Sequence, residues 1–307
     1  MKRALTIAIV LLTARAVQAQ NNDINWQTEV KAALSAAKSK NKPLMVYLEG
    51  SSDREGHSRI ERDQKRAFKD PRVLARALHF IPLKLSRSTN RDQLKDFGLA
   101  EGDVLQMRFV SPEGEPLGSL GVAGIEQPDT LAQKMKLAYE AFGALQYKGT
   151  YKAVLEDENA KPADLKAALT NVGEFNVRPA EEAVLKLLDR HPDAATHALA
   201  LDALAQLSTK QAVTKLLELA RAGDKAAERA LTKCTPEAAE LMINDVKSDS
   251  DPFDFVAYKA AGTICKVPQL KPERFFQNSP LKLKEEELAR VKTAVQTASA
   301  KWKTENA

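Results

Sequence analysis

Two cysteines and four histidines in 307 residues leave little material for thiol or imidazole chemistry. Two cysteines cannot build a disulfide-dense scaffold. Both lie late, at Cys234 and Cys265, so no thiol occurs in the first 233 residues. The histidines (His57, His79, His191 and His197) are scattered, whereas a metal site gathers three or four ligands. The pattern therefore names no metal and no cofactor. Long apolar runs are equally scarce: after the first nineteen residues no second hydrophobic span and no low-complexity tract follows. A continuous basic stripe is missing too. Lysines and arginines mostly alternate with acids, as in Asp53-Arg54-Glu55 and Glu61-Arg62-Asp63, which describes solvated helix faces and argues against a nucleic-acid partner.

What is present begins with Lys2 and Arg3, followed by the apolar run Ala4 to Leu12 and the small-residue exit Val17-Gln18-Ala19. Charge, a short apolar core and small residues at a cleavage point form a secretory signal. A membrane-crossing helix needs about 20 apolar residues, and this run stops at about half that. The expectation is a signal peptide over 1–19, an exported chain that is periplasmic or secreted, and no stable membrane span once the signal is removed. An uncleaved or lipid-associated form is the alternative. The segment contains no cysteine to carry a lipid. Of the formal charge of +5, Lys2, Arg3 and Arg15 supply three units and no acid offsets them, so the remainder carries +2.

The residues beyond the signal exceed the usual size of one domain, and their pattern changes midway. Across 24–145 helical and strand signals alternate. Trp26 to Lys40 reads as a helix with Trp26, Val30, Ala33, Leu34 and Ala37 on one face, broken by Asn41-Lys42-Pro43. Leu44 to Leu48 reads as a buried central strand. A charged helical stretch covers about 57–68, and Asp70-Pro71 restarts a helix with Val73, Leu74 and Leu78 inward. Phe80 to Leu85 is a second strand, and Leu94 to Phe97 a short helix ending at Gly98. Met107 to Val110 is a third strand, joined through Ser111-Pro112-Glu113-Gly114 to a return strand at Leu117 to Leu120. A helix from Pro128 to Phe142 closes the region. The order β-α-β-α-β-β-α, preceded by a helix, implies a sheet covered by helices.

The strings Lys42-Pro43-Leu44-Met45-Val46-Tyr47-Leu48-Glu49-Gly50-Ser51-Ser52-Asp53, Phe68-Lys69-Asp70-Pro71-Arg72-Val73 and Phe109-Val110-Ser111-Pro112-Glu113-Gly114, in this order, resemble the extracytoplasmic thioredoxin-like proteins of bacteria. The likeness covers about residues 24–142. It implies a Cys-x-x-Cys at the start of the helix after the first string, where the positive end of the helix favours thiolate. This chain has Arg54-Glu55-Gly56-His57-Ser58-Arg59-Ile60 there. The two positions fall at Arg54 and His57, or at His57 and Ile60, and neither pair supplies a thiol. The family's cis-proline before the third strand would fall near Leu105, and is likewise missing. The resemblance thus implies a thioredoxin-like domain unable to run dithiol chemistry, with its peptide-accommodating groove kept. Asp53, Glu55 and His57 mark the rim of the degenerate site and are the candidate binding residues. His57 with Asp53 or Glu55 is also the one candidate for hydrolytic chemistry, with Ser51, Ser52 and Ser58 nearby. Serine in a glycine-rich turn is common for conformational reasons alone, so no catalytic residue is assigned.

Residues 150–305 are rich in alanine, leucine and charge at helical spacing. Ala183-Val184-Leu185-Lys186-Leu187-Leu188 matches Ala212-Val213-Thr214-Lys215-Leu216-Leu217 at an offset of 29, and Ala194 to Leu199 matches Ala226 to Leu231 at 31 or 32. A weaker third unit runs from Pro236 through Met242, Ile243 and Val246 to Phe255, Val256, Tyr258 and Ala261. Paired helices repeating about every 30 residues are the mark of an α-solenoid, whose units bury apolar faces against each other. Leu187, Leu188, Leu199, Leu204, Leu216, Leu217 and Leu231 form the expected shared core. The units resemble HEAT-type repeats, though shorter; an irregular helical bundle is the alternative. Lys266 to Leu283 reads as a proline-bearing loop, and Lys284 to Trp302 as a capping helix with Leu288, Val291, Val295 and Trp302 inward. Pattern and resemblance together imply, as the expected fold class, an α/β thioredoxin-like N-terminal domain and an all-α helical-repeat, α-solenoid-like C-terminal domain.

Cys234 and Cys265 stand 31 residues apart, about one repeat. Three states are open: a disulfide bond, two buried thiols, or a redox pair. A bridge needs Cα atoms within about 7 Å, while stacked helix axes lie about 8–10 Å apart, so a bridge requires the two to face each other. Together these features point away from an enzyme. They point to an exported interaction protein with a protein or peptide partner in the cell envelope, with Cys234/Cys265 thiol chemistry and a His57 hydrolase as the alternatives.

Overall fold

In the computed structural model, which describes residues 23–49, 64–86, 88–99, 106–190, 192–250 and 252–306, the apolar run after Pro43 becomes the strand Leu44–Glu49 (β1). Its neighbours are Ile81–Ser86 (β2), parallel to it, and Gln106–Val110 (β3), antiparallel; Pro116–Gly121 (β4) pairs antiparallel with β3. The sheet order is β2-β1-β3-β4. Both faces of β1 are covered, which explains its lack of alternation. Met45 and Tyr47 pack with Phe80, Met107, Phe109 and Met135 on one face. Leu44, Val46 and Leu48 pack with Val30, Ala33, Ile81, Leu83 and Phe97 on the other. β2 alternates buried with half-buried residues instead.

The first helix is Val30–Lys40 (α1), ending at Asn41 in the left-handed region with φ 47°. It begins four residues later than the apolar spacing suggests. Gln27 forms a parallel bridge to Leu83, donating to the Pro82 carbonyl at 2.9 Å and accepting from Lys84 N–H at 2.8 Å. That extended stretch covers the outer edge of β2, as an exposed edge requires. It also sends Trp26 to the face opposite Val30, where its ring meets Tyr47 at 5.6 Å and Phe68 at 5.4 Å.

Residues 64–68 are helical. Asp70 then caps Pro71–Ala77 (α2) by accepting from Arg72 N–H, with Pro71 pre-shaped for the first turn. Val73 and Ala77 face inward, whereas Leu78, expected inside, is exposed because the helix has ended before it. A 3₁₀ segment, Arg91–Phe97, stops at Gly98. The hairpin between β3 and β4 turns on buried Ser111, whose hydroxyl accepts from Glu113 and Glu115 N–H. The short helix Val122–Ile125 (α3) precedes Pro128–Gln146 (α4), which lays Leu131, Met135 and Ala138 on the sheet at helical spacing.

The chain divides into two compact units between Phe142 and Gly143. The second is helical throughout. A π-type turn, Tyr147–Tyr151, leads to Lys152–Glu156 (α5) and Pro162–Glu174 (α6). Three helix pairs follow: Glu181–Asp189 (α7) with Ala194–Leu207 (α8), Lys210–Arg221 (α9) with Lys225–Leu231 (α10), and Pro236–Asn244 (α11) with Phe255–Ile264 (α12). Within each pair the helices touch, and α8 packs on α10, α10 on α12, and α9 on α11. Of the expected core leucines, Leu187, Leu188, Leu204, Leu216, Leu217 and Leu231 are buried; Leu199 is half-buried.

The region expected as a loop, 266–283, contains the helix Glu273–Asn278 (α13) and the start of Leu281–Asn306 (α14). Two of its three prolines begin helices rather than prevent them: Pro272 is the cap of α13 and Pro280 directly precedes α14, while Pro268 lies in a turn. α13 carries Phe276 into contact with Tyr258 at 4.7 Å and stacks it on Phe253 at 3.9 Å. α14 packs on α11 and α12 and buries Leu288, Val291 and Val295, with Trp302 half-buried. Buried Tyr258 donates to Glu287 Oε1 at 2.6 Å, and Arg290 grips both oxygens of that carboxylate. Lys292 donates to the Asn244 and Val246 carbonyls at the end of α11.

The last residues of α4 show how tight this packing is. A Cβ on Gly143 would lie 2.0 Å from the Cβ of Phe175. Alanine in a helix gains about 1 kcal/mol over glycine, but a clash of that depth displaces a neighbour that has no flexible end to yield. Gly143→Ala is expected to lower unfolding stability by about 1–3 kcal/mol, read from urea titration of helical circular dichroism. A stabilised variant would show that Phe175 yields.

Candidate functional site

The rim residues singled out from sequence, Asp53, Glu55 and His57, lie outside the described residues, as do the signal segment 1–19 and Leu105. The site that the described residues present lies in the helical unit. It is a groove of about 630 Å³ between α10 and α12, with the end of α9, the 252–254 turn and Glu273 at its margins. That volume falls within the range of ligand pockets.

Helix starts build this groove. Asp193, Asp224 and Asp254 are the N-caps of α8, α10 and α12, each accepting backbone N–H groups from the first turn. Two of them also hold a cationic or imidazole side chain from the preceding pair: His197 Nε2 lies 2.6 Å from Asp224 Oδ2, and Arg221 pairs with Asp254. The first helices are tied in a related way, since Glu181 of α7 accepts from Ala212 N–H and Thr209 Oγ1 at the start of α9. Burial alone would raise the Asp224 carboxyl, but the His197 side chain and the Ala227 and Ala226 N–H groups hold it below the usual carboxylate range.

The groove floor is apolar. Leu231 and Ala260 are buried, and Phe253, Phe255 and Val256 are half-buried along the wall. Of the apolar residues that marked the third unit, Phe255 and Val256 face the groove, while Tyr258 and Ala261 take the core positions. Four cations line it. Arg221 is neutralised by Asp254 and Lys225 by Glu228. Arg229 uses Nε on the Lys225 carbonyl at 3.0 Å. Exposed Lys259 has no side-chain partner among the described residues, and neither does Glu273. Thr232 and Thr263 donate their hydroxyl protons to the carbonyls of Arg229 and Lys259. No histidine or cysteine lies among the lining residues. Such a groove can desolvate an apolar side chain beside fixed charge; it offers no nucleophile with an adjacent base.

The disulfide considered for Cys234 and Cys265 is not formed: both are free thiols. Cys234 is buried at the end of α10 and Cys265 half-buried at the C-cap of α12. Burial pushes the Cys234 thiol up to about 12, in spite of the Ser208 hydroxyl beside it, and raises Cys265 as well. A raised thiol is protonated at neutral pH and a poor nucleophile. Among the described residues no helix is long and apolar enough to cross a membrane, and no group of three or more His, Cys, Asp or Glu side chains is placed to hold a metal.

Sequence reading missed the groove, although a signal for it existed. Asp193, Asp224 and Asp254 recur at spacings of 31 and 30, which aligns the third pair with the first two better than its apolar residues do. Compared with known proteins, the chain matches no family model and no curated protein.

Two outcomes are expected. Alkylation under denaturing conditions, without reductant, should label both cysteines by mass, whereas in the folded protein at neutral pH Cys234 should react far more slowly than Cys265; a bridged species would refute this. Asp224→Ala should cost about 1 kcal/mol. Because the folded carboxyl titrates below its unfolded value, its stabilisation is complete above about pH 4 and fades as pH falls through the folded value. The urea midpoints of parent and Asp224→Ala should therefore converge in acid. A gap that stays constant down to the lowest pH would exclude the ionised cap.

Proposed function

We propose that this chain is an exported, non-catalytic binding protein of the bacterial cell envelope. In this reading a thioredoxin-like front domain without thiols is followed by a HEAT-like helical repeat that carries a protein or peptide ligand. The observation that carries it is the groove between α10 and α12: apolar wall, fixed charge, ligand-sized volume and no reactive pair.

Several features support the remaining parts. The element order behind the thioredoxin resemblance accompanies a mixed four-stranded sheet whose strand β1 is buried on both faces. No cysteine precedes position 234, so dithiol exchange has no reagent in that half. In the helical half, paired helices packing on the next pair, with caps recurring at about one repeat length, suit an array that buries its apolar faces between units. The N-terminal charge, apolar run and small-residue exit support export. Thiol chemistry through Cys234 and Cys265 is disfavoured by their raised thiols.

The test is direct. An immobilised peptide library probed with the intact chain should yield ligands. A photo-crosslinking side chain placed at exposed Thr263, in the groove, should capture them, while one at exposed Thr297, on α14, should not. Failure to find any ligand, or capture equally from Thr297, would overturn the reading. Insulin reduction coupled to a reductant should show no turnover, and measurable turnover would sink the non-catalytic part.

A further inference from the structure

The groove's own charges select its ligand, an inference that rests on the binding function proposed above. Two of its four cations are already matched within the protein, Arg221 by Asp254 and Lys225 by Glu228. What stays available is the Lys259 ammonium and the terminal nitrogens of Arg229, against the single carboxylate of Glu273. The cleft at the other end of this unit differs. There Lys186 pairs with Glu182, Lys152 with Glu156, and Arg190 is spent on the Leu155 and Glu156 carbonyls. Uncompensated positive charge beside a desolvated wall of Phe255, Val256 and Ala260 concentrates anions, because low-dielectric walls focus the field.

We infer that the groove between α10 and α12 takes a short acidic peptide segment carrying an aromatic or aliphatic side chain, the carboxylates meeting Lys259 and Arg229 and the apolar group meeting Phe255 and Val256. α12 has 10 residues and is about 15 Å long, so an extended segment of about five residues, at about 3.3 Å each, spans it. A basic peptide would meet only Glu273 with its partner-free charge. The preference is set by Lys259 above all, because its side chain has no internal role: its ammonium has no partner among the described residues, and the Thr263 hydroxyl uses only its backbone carbonyl.

Fluorescence anisotropy with the intact chain tests this. The probe is a fluorescein-labelled peptide alternating Glu with Leu and Phe; the comparison is the same peptide with Lys in place of Glu. The acidic probe should bind about tenfold more tightly or better at low salt, and the gap should shrink as salt screens it. Lys259→Glu should weaken the acidic probe by about tenfold, because it replaces an exposed attraction with a repulsion. Lys259→Arg should keep it. Equal binding of both peptides, a preference for the lysine peptide, or indifference to Lys259→Glu would each overturn the inference. So would a single-stranded oligonucleotide that binds this groove while the acidic peptide does not. If library peptides crosslink at Thr263 without regard to charge, this inference fails and the binding function stands; if nothing crosslinks there, both fail.

Discussion

A helix cannot begin inside a packed array unless something accepts its first backbone N–H groups, and in the helical unit one residue type meets that need three times. Asp193, Asp224 and Asp254 cap the second helix of each pair. Because Asp224 and Asp254 also receive His197 and Arg221 from the pair before, these two helix starts are joins between pairs. Glu181 does the equivalent for the first helices through Thr209 and Ala212 N–H. The apolar faces supply most of the driving force, and the shared caps tie one pair to the next. Asp254, one of those caps, lines the groove.

The same economy of charge shapes the groove. Asp254 caps α12 and in doing so takes Arg221 out of play, while Glu228 takes Lys225. Lys259, one turn further along α12, finds no such partner among the described residues. The C-terminal end of the unit is closed differently, by a polar network: buried Tyr258 and Glu287 bond one another, as buried polar groups must, and exposed Arg290 grips the same carboxylate from the solvent side. α14 packs on α11 and α12.

In the front unit the sequence was legible wherever one residue faced one environment. Leu44 to Leu48 announced a strand covered on both sides, and Ser111-Pro112-Glu113-Gly114 a hairpin turn, because local composition decides those features. It misled where a distant strand edge decided instead. Trp26 keeps helical spacing with Val30, yet Gln27 is drawn out to pair with Leu83, and Trp26 ends on the opposite face of the sheet. Leu78 likewise keeps the spacing of α2, but the helix ends first. Pro272 and Pro280 suit a loop by composition, yet a proline without an N–H suits a helix start as well as a turn.

From the sequence alone came the alternation of strands and helices up to Phe142, the helical repetition after it and the absence of any thiol before Cys234. Each depends on residue type and spacing along the chain. Only the tertiary structure decided that Phe255 and Val256 face a groove while Tyr258 is buried, that Lys259 is unmatched among the described residues while Arg221 is not, and that Cys234 and Cys265 stay free. The reason is the same in each case. A helix presents several faces of similar composition, and which of them is covered, paired or open depends on neighbours brought in from some 30 residues away.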